Sequence, residues 1–533
     1  MFDQTERLPT ELASADAQIT RLLDIIEALR ASRFWRIMHR VHRLKQRLLG
    51  GTTVESVDAW LDEVIAMRPR PGPATRITGR DIATGYPAWL ADDEPGLLAT
   101  LAFADPGNDI AVVVYKGDAS EAELGGLSKD FVCLLDARDR LQPLALGIAA
   151  AILQANPAIR LIYADADQID ADGHRHSPDF RPDWDPLLPD TSDLGGFVVA
   201  HASLFTTPMR TPAGLAAMCA PDEIHHVPAI LCHRPSRERS GVPRASHVLP
   251  SPAPLVSLII PTRDQPGLLS ACLDGLLNAT AYPLLEVILV DNGTTDPQAL
   301  AVLEAARHDA RVRIVTAPGP FNWSRLNNLG VAEARGDVVV LLNNDTATID
   351  PSWLTELVTH ALRPEIGAVG AKLLYPDGRV QHAGIYIDDD GGTKHLFRFR
   401  QADDPGPFDL LATVHTVTAV TGACLAVERR KYLEAGGPTE SLAIASNDVD
   451  FCLRLTALGY RNLWTPFAVV EHRELATRGA DTTPEMQARA ERELRQLRRD
   501  WGGALAREPH LNPNLVIQNE ELYLRGHDST KNE

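Results

Sequence analysis

The chain has 533 residues, of which 44% are apolar, 6% aromatic and 23% charged. That is a globular composition, which excludes a collagen-like, low-complexity or wholly disordered chain. Lys and Arg total 52 against 71 Asp and Glu, a net charge of −19. So acidic a protein lacks the positive field of a general nucleic-acid binder, so no nucleic-acid partner is expected and an anionic ligand must be held locally, by a metal ion or backbone amides.

In chain order, residues 1–67 read as a helical segment. Ile19, Leu22, Leu23, Ile26 and Leu29 recur at helix spacing, as do Phe34, Ile37, Val41, Leu44 and Leu48. From Ala28 to Val54 there is no acid, but Arg30, Arg33, Arg36, Arg40, Arg43, Lys45 and Arg47 are all basic. A basic amphipathic helix over 30–48 can lie on the anionic inner-membrane surface, or pack on an acidic partner face. The acidic, polar start Met1 to Glu6 does not read as a secretory signal, and no apolar run approaches the roughly 18 residues of a membrane span. Six dispersed cysteines without a C-x-x-C pair fit a reducing compartment. The expected localisation is therefore cytoplasmic, with peripheral contact at the membrane face.

A Pro-rich linker at 68–77 precedes an α/β region at 75–247, in which 143–155 reads as a buried helix. Three prolines in 248–254 mark a second break. Over 253–480, strand-like runs at 255–260, 286–290, 312–315 and 338–342 alternate with helical stretches at 267–278, 297–307 and 324–334. Short apolar strands alternating with helices predict a mostly parallel sheet covered on both faces. Residues 481–533 read as a charged helix to about 501, then an irregular tail docked through Leu515, Val516 and Ile517.

Ligands of such sheets bind beyond the carboxyl ends of the strands. Those ends carry Pro261-Thr262-Arg263-Asp264, Asp291-Asn292-Gly293-Thr294-Thr295-Asp296 and Asn343-Asn344-Asp345-Thr346. Acceptor-rich ends of this kind suit a nucleotide base and ribose. A diphosphate needs cations, yet neither G-x-G-x-x-G nor a P-loop is present, so a divalent metal on oxygen ligands is the natural substitute.

On the words LVSLIIPTRD (255–264), EVILVDNGTTD (286–296), FNWSRLNNLGVAEARGDVVVLLNNDT (321–346), GAKLLYPDGRVQHAG (370–384), AVTGACLAVER (419–429), NDVDFCLRLTALGYRN (447–462) and EHR (471–473), the segment 255–475 resembles the family 2 glycosyltransferases. These are inverting enzymes of GT-A fold, a Rossmann-like sheet with helices on both faces. The likeness is strongest to rhamnosyltransferase-like members of bacterial surface-polysaccharide (O-antigen) synthesis. The resemblance implies a nucleotide-sugar donor, a glycan or lipid-linked acceptor, and Mn2+ or Mg2+. It implies that Thr262, Asp264 and Asp291 contact the nucleoside and that Asn327, Asn328 and Asn344 lie near the nucleotide. Asp345 and Asn343, with His472, would hold the metal, and Asp448 would be the general base. Two positions depart from the family pattern. Asn343 replaces a carboxylate of the metal-binding D-x-D, and Asn447 replaces the acid that usually precedes the base. Trp323 and Trp353 read as packing residues.

Residues 75–247 read as a degenerate, noncatalytic GT-A-like copy of the same module. FVCLLDARDRLQP (131–143) parallels 338–351, and IHHVPAILCHR (224–234) parallels 462–473. Arg138 falls where a second carboxylate would hold the metal, and a cation there opposes divalent binding. His225, His226, Cys232 and His233 do not have zinc-site spacing. Gln496-Leu497-Arg498-Arg499-Asp500-Trp501 is a near miss to the Q-x-x-R-W word of membrane-embedded synthases, which would also need transmembrane helices. The alternative function is a noncatalytic glycan- or nucleotide-sugar-binding scaffold, favoured by Asn343 and Asn447.

Overall fold

The computed structural model describes residues 80–107, 109–115, 129–187, 194, 196–206, 211–235, 248–473 and 483–526. The basic stretch 30–48 and the linker at 68–77 lie outside the described residues. No helix among the described residues is long and apolar enough to cross a membrane.

The first sheet comprises β1 (Ile110–Tyr115), β2 (Phe131–Asp136), β3 (Arg140–Leu141), β4 (Leu161–Ile169), β5 (Arg175–Asp179), β6 (Val198–His201) and β7 (Ile224–Pro235), in the order β1-β2-β6-β4-β7-β3 with β5 on β4. The second comprises β8 (Val256–Thr262), β9 (Leu285–Asp291), β10 (Val312–Thr316), β11 (Val338–Leu342), β12 (Thr346–Thr348), β13 (Ile366–Leu374) and β14 (Val380–His382). A small hairpin of β15 (Ile385–Ile387) and β16 (Thr393–His395) follows. β17 (His415–Val417), β18 (Cys424–Glu428) and β19 (Arg461–His472) return to the second sheet, ordered β10-β9-β8-β11-β18-β13-β19-β12.

From β8 onward the second sheet repeats the plan of the first. The pairs β1–β2 and β8–β11 are parallel. The pairs β2–β6 and β11–β18 are antiparallel, as are β6–β4 and β18–β13. The pairs β4–β7 and β13–β19 are parallel, and each slips register midway, after Ala164 in one and after Ala371 in the other. A short antiparallel strand closes both, with Arg140 facing His233 and Thr346 facing His472. β9 and β10 have no counterpart beside β1 among the described residues, and Val112 and Val114 on β1 are exposed.

Strands β8, β11 and β13 are buried along their whole length because helices cover both faces. Each buried Val, Leu or Ile contributes about 1.5–3 kcal/mol relative to exposure. The expected helices form at Pro266–Asp274, Pro297–Ala306 and Trp323–Ala332, and the apolar run after residue 143 forms the helix Ala145–Ala155. Gly330 lets the helix Trp323–Ala332 lie close on β8, since a Cβ there would meet Ile259 Cγ2 at 2.3 Å.

The tail departs from the irregular segment expected. It forms a hairpin of β20 (Leu515–Gln518) and β21 (Glu521–Leu524), turning through Asn519 and Glu520, both at positive φ. Docking through Leu515 and Val516 occurs as expected, each 4% exposed. The preceding stretch joins the two sheets. Asn512 Nδ2 donates to both oxygens of Asp165 (3.0 and 2.8 Å) and to the Arg181 carbonyl, while Arg507 pairs with Asp183. Glu508 accepts from the Thr418 hydroxyl and from the Ile387 amide.

Candidate active site

The parallel strands β8, β9 and β11 end on one edge. Register places Thr262 beside Asp291, and the Thr262 hydroxyl accepts from Asn344 Nδ2 at 3.1 Å. Asp264 serves the loop: one of its oxygens accepts from the Thr295 and Asp296 amides, both at 2.8 Å. The Asp296 and Thr295 amides hold its carboxyl below the usual range. Asp291 accepts from the Thr294 amide at 2.8 Å. The next residue, Asn292, is 2% exposed; its Nδ2 donates to the Ala317 and Gly319 carbonyls, while its Oδ1 has no hydrogen-bond partner. Asn327 has the same pattern, its Nδ2 bonded to the Trp323 carbonyl and its buried Oδ1 without a partner. Asn328 instead ties its helix to a loop, accepting from the Tyr432 hydroxyl and donating to the Pro438 carbonyl.

The metal loop lies between β11 and β12. β12 pairs with the end of β19, which brings Asp345 to His472. The Asp345 carboxylate and His472 Nε2 approach to 3.2 Å. His472 Nδ1 lies 2.7 Å from Gln381 Oε1, and Gln381 Nε2 donates to the His472 carbonyl. Because Oε1 can only accept, the imidazole proton is assigned to Nδ1. In the neutral ring the Nε2 lone pair then faces a carboxylate oxygen, and a cation between the two would satisfy both. The Asp345 carboxylate suits Mn2+ or Mg2+, and the His472 imidazole would join it as a nitrogen ligand. Asn343 is turned otherwise. Its Oδ1 accepts from Trp323 Nε1 at 3.1 Å, and its Nδ2 lies 3.4 Å from His472 Nε2. Sequence reasoning misses Gln381; its signal is the Gln381-His382 pair inside the word 370–384. Trp323 does more than the packing role read for it, whereas Trp353 is 1% exposed and bonds Thr280.

Asp448 opens the helix Asn447–Ala457 after Ser446 at positive φ. Its Oδ2 accepts from the Gly422 amide at 3.0 Å and its Oδ1 from the Val449 amide at 2.9 Å. Desolvation nevertheless raises its pKa, with the Gly422 and Val449 amides opposing. Asp450 is buried and pairs with Arg454, Thr439 and Trp501. Asn447 accepts from the Asp448 amide, and its Nδ2 has no partner. The base loop adjoins the metal loop, because the Asn343 amide donates to the Ala423 carbonyl.

The corresponding edge of the first sheet is filled. Asp167 receives Tyr86 (2.7 Å), Arg175 (2.6 Å) and His233 (2.6 Å), and Asp165 receives Asn512 and His226. Arg138 folds back onto Asp136, and Asp139 directly precedes β3. Ile230 and Leu231 are buried on β7, and His226 and His233 bond carboxylates. Among the described residues, the one group of three or more acid, histidine or cysteine side chains close enough together to hold a metal is Asp170, Asp172 and His174, at the exposed β4–β5 turn.

The profile of the family described as Glycosyl transferase family 2 matches residues 257–428. Those residues of the chain form a domain of that family. The match falls on the second sheet, in which the parallel strands β10, β9, β8 and β11 lie beside the antiparallel β18 in a mixed α/β arrangement, in keeping with the GT-A fold. An uncharacterised protein of Sinorhizobium fredii is 32% identical over 91% of this chain and 60% of its own length. The O-antigen biosynthesis protein RfbC of Myxococcus xanthus is 34% identical over 77% of this chain and 36% of its own length. An N-acetylglucosaminyl-diphospho-decaprenol L-rhamnosyltransferase of Mycobacterium tuberculosis is 27% identical over 39% of this chain and 73% of its own. The chain thus spans less than two thirds of the first two relatives.

Proposed function

We propose that this chain is a metal-dependent, inverting glycosyltransferase. It moves a sugar from a nucleotide-sugar donor to a hydroxyl of a glycan or lipid-linked acceptor in bacterial surface-polysaccharide synthesis. The observation that carries the reading is Asp448: a desolvated carboxylate fixed by the Gly422 and Val449 amides, where Gly422 adjoins Ala423, whose carbonyl accepts from the Asn343 amide of the loop bearing Asp345. Asp291 and the free Oδ1 of Asn292 supply acceptors for the nucleoside. Asp345 and His472 would hold Mn2+ or Mg2+, which neutralises charge growing on the departing diphosphate. Asp448 takes the proton of the attacking acceptor hydroxyl as the new glycosidic bond forms and the sugar–phosphate bond breaks. Its raised basicity favours that transfer near neutral pH.

The first sheet is read as a noncatalytic copy of the module, since its carboxylates are consumed by internal partners. The stretch 30–48 is read as a peripheral contact with the membrane face.

The test is release of nucleoside diphosphate from candidate nucleotide sugars with Mn2+ or Mg2+. Turnover that survives Asp448→Asn rejects the base assignment. The scaffold reading draws support from the Asn343 oxygen being occupied by Trp323. Donor binding without turnover, across metals and acceptors, would favour it.

A further inference from the structure

The helix Pro484–Trp501 lies outside the residues that the family profile matches, yet one of its faces rests on the segment that leads into the base. Glu493, Leu497 and Trp501 recur at helix spacing, with Gln496 beside them. Gln496 Nε2 donates to the Ser441 hydroxyl at 2.8 Å, Leu497 is fully buried, and Trp501 Nε1 donates to Asp450 at 2.9 Å. Glu493 is 4% exposed. One of its oxygens accepts from the Ala443 amide at 3.2 Å and the other from the Ala445 amide at 2.6 Å. Arg489, one turn earlier, is the cation beside it at 3.6 Å.

The other side of the same segment is held by residues 322–324, where the helix Trp323–Ala332 begins. The Asn322 side chain donates to the Glu440 carbonyl, the Ser324 hydroxyl to the Leu442 carbonyl and the Trp323 amide to the Ala443 carbonyl. Residues 440–445 thus give carbonyls to one helix and two amides to a single carboxylate of another. Asp448 stands three residues further on, reached through Ser446 at a φ of 60°, a conformation a serine keeps only where its surroundings over-determine it. A helix that served only as cover would bury an apolar side chain at 493. A desolvated carboxylate is costly there unless its bonds to the segment offset the loss of water.

We propose that Glu493 is a positioning residue for the general base: its carboxylate fixes the Ala443 and Ala445 amides and so sets where Asp448 enters the site. The inference rests on the reading of Asp448 as the base and goes beyond it by assigning what fixes that base, to a residue outside the matched domain. Glu493→Gln keeps size and shape but offers one acceptor oxygen to two amides, and its NH2 group then faces an N–H. The segment must shift to relieve that pair, and Asp448 moves with it. Donor contacts are spared, because Asp291, Asp345 and His472 lie on other strand ends.

The experiment reads two quantities on the full chain. Hydrogen exchange is followed by mass spectrometry in peptides covering 440–446. Nucleoside diphosphate release is followed from UDP-glucose, GDP-mannose and dTDP-rhamnose with Mn2+, water serving as the acceptor. In Glu493→Gln, exchange at 443–445 is expected to quicken about tenfold. Its kcat is expected to fall about 10- to 100-fold with the donor KM unchanged. In an Asp448→Asn background the same change is expected to have no further effect, since no base is left to misplace. A merely structural glutamate would lower Tm and reduce kcat by the same factor in either background, and that result overturns the proposal. So does unchanged kcat or unchanged exchange in Glu493→Gln. Should that variant fail to fold, Glu493→Asp keeps both acceptors one methylene further back. It is expected to show the same changes at smaller size, and wild-type behaviour overturns the proposal. Full turnover in Asp448→Asn, or a wild type that turns over none of the three donors, overturns the parent reading and this inference with it. Low turnover in Asp448→Asn beside full turnover in Glu493→Gln overturns this inference alone.

Discussion

In the first sheet, Asp165 and Asp167, within β4, are met by Asn512, His226, Tyr86, Arg175 and His233. In the second, the edge formed by β8, β9 and β11 keeps unfilled acceptors at Asn292 and Asn327 and aims a histidine lone pair at Asp345. Strand order, pairing sense and the mid-strand slip are alike in the two. What differs is whether the polar groups at the sheet's edge have been given partners from within the chain. A scaffold with this strand plan can hold either a ligand or its own neighbours, and the side chains at the strand ends decide which.

Five experiments can break or sharpen that contrast. The largest effect is expected at Asp448: Asp448→Asn should lower kcat by about 10²- to 10⁴-fold, the typical range for losing a general base. A control neutralisation in the first sheet, Asp167→Asn, should leave nucleotide affinity and kcat intact. Loss of donor binding in Asp167→Asn would mean that the first edge is also a ligand site. Next, Gln381→Leu frees the His472 ring and should weaken Mn2+ binding about 10- to 100-fold, read by calorimetry with a nucleoside diphosphate.

Asn512→Leu should act on stability rather than chemistry. Asp165 would lose a donor to both oxygens, costing about 1–3 kcal/mol in urea unfolding, with KM for the donor unchanged. The smallest effect is a pH signature. Because burial raises the Asp448 pKa, kcat/KM should fall as pH drops through a value above 3.8. Stability runs the other way: the raised carboxyl favours folding when protonated, below 3.8, and that contribution is lost as pH rises through the folded value. Asp448→Asn should therefore raise Tm at neutral pH, with the difference closing in acid.

Much of the second sheet was legible because its strands are short apolar runs and its acids follow them directly. Asp345, His472 and Asp448 sit in words whose roles came from the family resemblance, and the structure brings Asp345 to His472. Less was legible wherever a partner comes from far along the chain. Asn512 reaches Asp165 across 347 positions, and nothing in either neighbourhood signals it. Gln381 meets His472 only because β14 folds back on β13. The tail hairpin was missed for a local reason: its turn uses Asn519-Glu520 at positive φ, where a glycine would have announced the turn. The Trp323 bond was hidden because a tryptophan in an apolar setting gives no hint of where its N–H points.

The clasp at 507–525 has a practical consequence. It is translated after both sheets, yet its Asn512, Glu508 and Leu515 complete surfaces belonging to each. Cutting the gene at the proline-rich break near residue 250 to isolate the transferase half would leave a fragment whose own terminal hairpin has lost its floor. The severed amino-terminal half would expose a fully enclosed aspartate to water. The two halves should thus be handled as one inseparable unit in any attempt at module swapping.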